Sequence, residues 1–196
     1  MAKRQIVLDL ETTGLFVSDG HRITEVGMVE LIDGKPTGKT FHAYVNPERD
    51  VPEFITNLTG LTTEFLSDKP LFAEIAQDIR AFIGDDEVVI TCHTKDNYTL
   101  DIAFLSKELE DAGMPPIKDS QWLNVRRWGE AMFGHKDASL DTLLDRYNID
   151  RSERDEKGHG ALLDAKLLAE VLPKLTADYS AFLKATAFGK PRKPKL

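Results

Sequence analysis

The chain has 196 residues, 41% hydrophobic and 30% charged, which suits one sizeable folded core and excludes a disordered or fibrous chain. Its single cysteine, Cys92, excludes an intramolecular disulfide, and no apolar run approaches the ~20 residues of a membrane span, so a reducing cytoplasm is the expected setting. The formal net charge of −8 runs against a surface built to grip phosphate backbones.

In chain order, Ile6 to Leu8 is a short apolar run that reads as a buried strand. Asp9 and Glu11 sit two apart at its end, so the period of a strand points both carboxylates to one face. Side by side at a core edge, two ionised carboxylates repel each other and resist desolvation. A divalent cation relieves both problems, and hard cations such as Mg²⁺ prefer carboxylate oxygen. Taken alone, the stretch also reads as a strand that ends in polar residues before the Thr12-Thr13-Gly14 turn.

Gly14 to Gly20 reads as a loop, and Ile23 to Ile32 alternates imperfectly, with Val26, Met28 and Ile32 on one side. Asp33-Gly34 signals a hairpin turn, and Thr40 to Val45 supplies the next strand, giving an antiparallel three-stranded start. Asn46-Pro47 and Val51-Pro52 end the sheet run, and residues 53–66 read as a surface loop followed by a short helix. Phe72, Ile75, Ala76, Ile79, Phe82 and Ile83 recur at helical spacing. Glu87 to Thr91 predicts a strand parallel to the first, reached by that helical crossover. Helices are predicted over Leu100 to Ala112, Trp122 to Phe133 and Leu140 to Tyr147, the last N-capped by Ser139. Asp150 to Gly158 reads as a charged loop, and Ala161 to Leu175 as the final long helix. The order predicts an α/β fold, a mixed sheet flanked by helices. Residues 1–188 are expected to form a single domain, and 189–196 a short, disordered basic tail.

Three stretches carry the chemistry: Asp9-Leu-Glu11-Thr-Thr-Gly14, Asp101-Ile-Ala-Phe-Leu105 and His159-Gly-Ala-Leu-Leu-Asp164. Together, and in this order, they resemble the three motifs of the DnaQ-like, or DEDDh, 3′–5′ exonuclease family. The segments between them, Gly20-His-Arg-Ile-Thr-Glu-Val-Gly27 and Ser139-Leu-Asp-Thr-Leu-Leu-Asp-Arg-Tyr147, are similar to its proofreading epsilon-subunit branch. The resemblance runs from about Arg4 to Leu172 and implies a ribonuclease H-like fold with a mixed central sheet of three antiparallel strands plus parallel strands.

It further implies that Asp9, Glu11, Asp101 and Asp164 hold two divalent cations, Mg²⁺ or Mn²⁺, and that His159 is the general base. Geometry adds a constraint. On a continuous helix, residues five apart differ by roughly 140° in direction, so His159 shares a site with Asp164 only from a loop before the helix. Substrate-contacting positions of the family fall on Thr12, Glu53 and Thr59, although the epsilon branch carries histidine where Thr59 stands. The implied partners are a single-stranded DNA 3′ end and a replicative DNA polymerase subunit, which would deliver an end that an acidic chain binds weakly.

The sequence departs from the family pattern between Val88 and Asp101, where a longer link contains a second acid, Asp96. Only Asp101 is followed by two residues and then the Phe-Leu pair of the motif, and Phe104 and Leu105 begin the apolar face that would hold it in place. Two competing readings remain: an RNA-trimming relative, and an inactive nucleic-acid or polymerase-docking module. The intact acids and His159 speak against the second.

Overall fold

The computed structural model describes residues 3–84, 88–94 and 100–187. Its sheet is built around β1 (Arg4–Thr12). On one side run β2 (Ile23–Ile32) and β3 (Lys35–Tyr44), each antiparallel to its neighbour. On the other run β4 (Val89–Cys92) and β5 (Trp122–Asn124), in parallel register, giving the order β3-β2-β1-β4-β5. Helices α1 (Glu53–Thr59), α2 (Thr63–Leu66) and α3 (Phe72–Ile83) lie between β3 and β4, and α4 (Leu100–Asp111) between β4 and β5. After β5 come α5 (Arg126–Phe133), α6 (Leu140–Tyr147), α7 (Ser152–Lys157) and α8 (Ala161–Ala187). Among the described residues, no helix is long and apolar enough to cross a membrane.

The period of two in β1 sorts its residues onto opposite faces. Ile6, Leu8 and Leu10 pack in one core with Ile79 of α3 and Phe104 of α4, whereas Val7 packs in a second with Leu143 of α6 and Leu168 of α8. Asp9 and Glu11 continue the Val7 side, so both carboxylates face α8. A one-residue slip would bury Asp9 in place of Leu8, and each fully buried aliphatic side chain is worth roughly 1.5–3 kcal/mol. The register is therefore firmly set.

Several elements differ from the sequence expectation. The predicted Trp122–Phe133 helix splits, because Trp122 to Asn124 pair in parallel with Ile90 to Cys92, and the helix starts only at Arg126. The charged 150–158 stretch contains a helix, α7, whose start is held by Asp150 accepting the Ser152 N–H at 3.0 Å. The last helix runs to Ala187 rather than Leu175, with Pro173 inside it, and β3 begins earlier, at Lys35. Asp96, Glu87 and the basic tail lie outside the described residues.

The start of α8 approaches the sheet most closely at a glycine of β2. Gly27 stands opposite Asp9 in the β1–β2 register, and a Cβ placed on it would lie 2.2 Å from the backbone carbon of Ala161. Glycine is required there by sheer proximity. Gly27→Ala should therefore cost about 3 kcal/mol, as overpacking against a backbone cannot be relieved by a rotamer. Denaturant unfolding measures it, and an unchanged midpoint would show that this approach does not constrain the fold.

Candidate active site

The acids converge from three elements. Asp9 and Glu11 end β1, Asp101 lies in the first turn of α4, and Asp164 lies in the first turn of α8. The place where they meet is the carboxyl end of the central strand, beside the switch from antiparallel to parallel pairing, where open α/β sheets bind ligands.

Asp101 is buried and held by packing and polar contacts. Phe104 and Leu105, one turn on, are fully buried in the core on the α3 side. The Thr94 hydroxyl donates to the Asp101 carboxylate, which also accepts the Leu10 N–H. Thr94 is itself fixed by Asn124 at the end of β5, whose side chain accepts the Thr94 N–H at 3.3 Å and donates to its carbonyl at 2.9 Å.

His159 precedes α8, as the spacing to Asp164 requires. Gly158 turns the chain there at φ 82°, a conformation that disfavours side chains, and the His159 N–H donates to the Leu58 carbonyl of α1 at 3.2 Å. The imidazole is half-buried, with Nδ1 3.4 Å from Asp164 Oδ2. One potential ligand atom each from Glu11, His159 and Asp164 lies within 4.8 Å of the others. An open cleft is lined by these three together with Asp9, Asp101 and Arg154.

Burial and crowding raise the acids' proton affinities. For Asp9, desolvation is the largest cause, followed by Asp101, Asp164, Glu11 and Glu25, and its pKa stands well above the usual carboxylate range. Burial, then Asp164 and Glu25, push Glu11 up to about 8, while Arg154 pulls it back. Desolvation lifts Asp101 to about 6 against the hydrogen bonds from Thr94 and Leu10.

The remaining expected contacts are placed differently from one another. Thr12 is buried, with its hydroxyl donating to the Gly14 carbonyl at 2.7 Å. Thr59 is also buried, donating to the Ile55 carbonyl at 2.9 Å, and lines a second cavity beside His159 with Glu25 and His42. Glu53 is exposed in the first turn of α1 and lines neither cavity.

Sequence reasoning missed Glu25, Arg154 and Asp141. Glu25 lies opposite Glu11 across the β1–β2 pairing, buried, and bonded to His42 Nε2 at 2.7 Å. Its alternation parity with Gly27 was the only signal available. Arg154 is buried, with Nε 2.6 Å from Asp164 Oδ1 and Nη2 3.1 Å from Oδ2, while Nη1 donates to Asp141. In a run as charged as Ser152-Glu-Arg-Asp-Glu-Lys157, nothing distinguishes the one cation that turns inward.

An acid cluster at the end of the central strand of this mixed sheet, with Asp101 and Asp164 buried, Asp9 and Glu11 half-buried and a histidine beside them, defines a nuclease of the ribonuclease H-like fold. The family model described as Exonuclease matches residues 6–172. The chain belongs to the exonuclease family, and it is a 3′–5′ exonuclease. It is 42% identical over 176 residues to DNA polymerase III subunit epsilon of Rickettsia felis, covering 88% of this chain and 74% of that protein. With the subunit of the same name from Escherichia coli it shares 40% over 180 residues, covering 88% and 71%. Among solved structures, the nuclease domain of 3′hExo, a DEDDh family member bound to rAMP, superposes with a TM-score of 0.72 at 19% identity, covering 90% and 93% of the two chains. Exonuclease X in complex with 5′ overhanging duplex DNA gives 0.66 at 19%, covering 89% and 92%. These two likenesses bear on the fold.

Members of the family depend on divalent metal ions, and the donor set here suits them. Among the described residues, four carboxylates with a fifth, Glu25, behind them face the Arg154 guanidinium, so hard oxygen donors stand in excess over cations there. That excess has a consequence for stability. Glu11 in the folded chain keeps its proton up to about pH 8, whereas an unfolded glutamate loses it near the ordinary value of 4.5. The unfolded state therefore binds fewer protons across that window, and stability falls as pH rises through it. In chelator, the melting temperature should drop between about pH 5 and pH 8, and Glu11→Gln should flatten the drop, as should added Mg²⁺. A flat or rising profile in chelator would contradict the burial of these charges.

Proposed function

We propose that the enzyme removes nucleotides one at a time from single-stranded or mispaired DNA 3′ ends, as a proofreading nuclease with two divalent cations, Mg²⁺ or Mn²⁺, in the acid cluster. The observation that carries this reading is the convergence of Asp9, Glu11, Asp101 and Asp164 on one cleft with His159 at its mouth. These four acids would hold the cations. When bound, the cations supply charge neutralisation at the phosphate, activation of the attacking water and stabilisation of the leaving oxygen.

The protein's own side chains do the rest. His159, half-buried and in a segment held at Leu58, takes the proton from the attacking water, a task for which imidazole is suited near neutral pH. Thr94 and the Leu10 N–H orient the Asp101 carboxylate, so that acid presents a defined oxygen to the cleft. Thr59, beside His159, and Thr12, through its backbone, would meet the terminal nucleotide, with Glu53 approaching from α1. Residues 1–188 would act as one domain. A replicative polymerase subunit is the natural partner, because a chain of net charge −8 has little field with which to capture DNA by itself.

The decisive experiment follows 3′-end trimming of labelled DNA and RNA strands, with and without a terminal mismatch, in Mg²⁺, Mn²⁺ or chelator. Stepwise shortening of DNA from its 3′ end in metal alone is expected, and Asp9→Ala should mimic chelator. His159→Ala should lower turnover by about 10²–10⁴-fold while leaving cation binding largely intact. Full activity in chelator overturns the metal reading, normal turnover of the His159 variant overturns the base, and RNA trimmed in preference to DNA overturns the substrate.

A further inference from the structure

Arg154 lines the cleft, yet the reaction outlined above does not use it. Its guanidinium is buried, and its forked donors reach three groups at once. Nε and Nη2 take the two oxygens of Asp164, at 2.6 and 3.1 Å, and Nη1 takes Asp141. Nη2 also lies 2.9 Å from His159 Nδ1, so the same nitrogen that holds the acid donates to the imidazole. Asp141 sits at the start of α6, outside the acid cluster and more exposed than Asp164, with side-chain exposures of 45% against 5%. It is also approached by Arg151, at 3.6 Å.

A guanidinium lying along both oxygens of Asp164 takes one lone pair on each and offsets the charge that would attract a metal ion. While it stays there, Asp164 is engaged and a ring nitrogen of His159 accepts a hydrogen bond instead of a proton. Complete removal of Arg154 is not needed to free them, since its third donor already has a partner away from the cluster. We propose that Arg154 is a positioning residue that acts as a movable counter-cation: it holds Asp164 and His159 in place while the cleft lacks metal, and cedes both to a divalent cation by retaining only its grip on Asp141. This rests on the reading that the acid cluster binds divalent cations.

The handover predicts opposite effects from its two ends. Removing the guanidinium removes a competitor, so Arg154→Met should bind Mn²⁺ more tightly, by about tenfold, the scale of coupling within one ion-pair network. Removing the parking place should strengthen the competitor's hold on Asp164, so Asp141→Asn should weaken Mn²⁺ binding several-fold. Simple charge arithmetic gives the same signs, and the double variant separates the two. If Asp141 acts through Arg154, its substitution does nothing further in the Arg154→Met chain; if it acts through the long-range field, the effects add.

Calorimetric titration of the whole chain with Mn²⁺ reads all four affinities, and thermal melts give a second measure. The Mn²⁺-induced rise in melting temperature should be larger in Arg154→Met than in the unaltered chain, whose metal-free state the arginine supports. Should Arg154→Met fail to fold, Arg154→Lys takes its place. It keeps the charge and loses the fork, and it should likewise bind Mn²⁺ more tightly and lose the response to Asp141→Asn. Additive effects, or weaker binding in the Arg154 variants, overturn the handover while leaving the metal site standing. No Mn²⁺ binding by the unaltered chain, or binding that survives Asp9→Ala, overturns the metal reading and the handover with it.

Discussion

Mutual repulsion of carboxylates in a partly dry cleft is the constraint around which this protein is arranged. Two like charges about 4 Å apart repel by about 4 kcal/mol at an effective dielectric of 20, and a whole domain is stable by only about 5–15 kcal/mol. A cluster of Asp9, Glu11, Asp101 and Asp164, with Glu25 behind, therefore needs a scaffold strong enough to hold it without collapsing or opening. The two apolar cores on either side of β1 supply that strength, and the acids Asp9 and Glu11 alternate with the core residue Leu10 at the end of the strand.

Each acid is delivered by a support distant from it in sequence. Asp164 arrives because Gly27 lets the start of α8 touch the sheet, opposite Asp9. Asp101 arrives through the Asn124–Thr94 link from the ends of β5 and β4, and through α4, whose far end is tied to the start of β2. There Arg22 grips the buried Glu108 with a forked pair of bonds, Nε at 2.7 Å and Nη2 at 2.8 Å. Glu108 also accepts the Ile23 N–H at 3.3 Å, so α4 and β2 are locked to each other at the level of the backbone. The geometry of the cleft thus depends on contacts well outside it. A change that loosens α4 at Glu108 would be felt at Asp101, two turns away.

The opposite wall of the cleft is held less firmly. α7 is a six-residue helix, mostly exposed apart from Arg154, and His159 hangs from it and from the Leu58 carbonyl. Such an element moves at modest cost, since few buried apolar contacts oppose it. Acids fixed on the sheet side and a half-exposed His159 on a lightly packed segment suit a cleft that must admit a nucleic-acid end and then release the product, with the Arg154 side chain the main tie between the two walls.

Much of this was legible in the chain itself. The apolar run at Ile6 to Leu8 with acids at alternate positions predicted a strand presenting Asp9 and Glu11 together, because side-chain direction in a strand is a local, period-two property. Helical spacing located α3, α4 and α6 to within a residue, Asp33-Gly34 marked its hairpin, and the five-residue gap placed His159 off the helix of Asp164. Resemblance to a known family joined the three motifs into one site. What the chain alone left open were the relations between distant residues. Trp122 to Asn124 became a strand only because Ile90 to Cys92 lay alongside, and local periodicity carries no trace of a partner 32 positions away. Glu25 joined the cluster through the β1–β2 register, and Arg154 turned inward from a run of charges that reads as solvated. A charged side chain pays no attention to sequence neighbours when an opposite charge is buried nearby; tertiary packing alone decided that Asp164 and Asp141 would be within its reach.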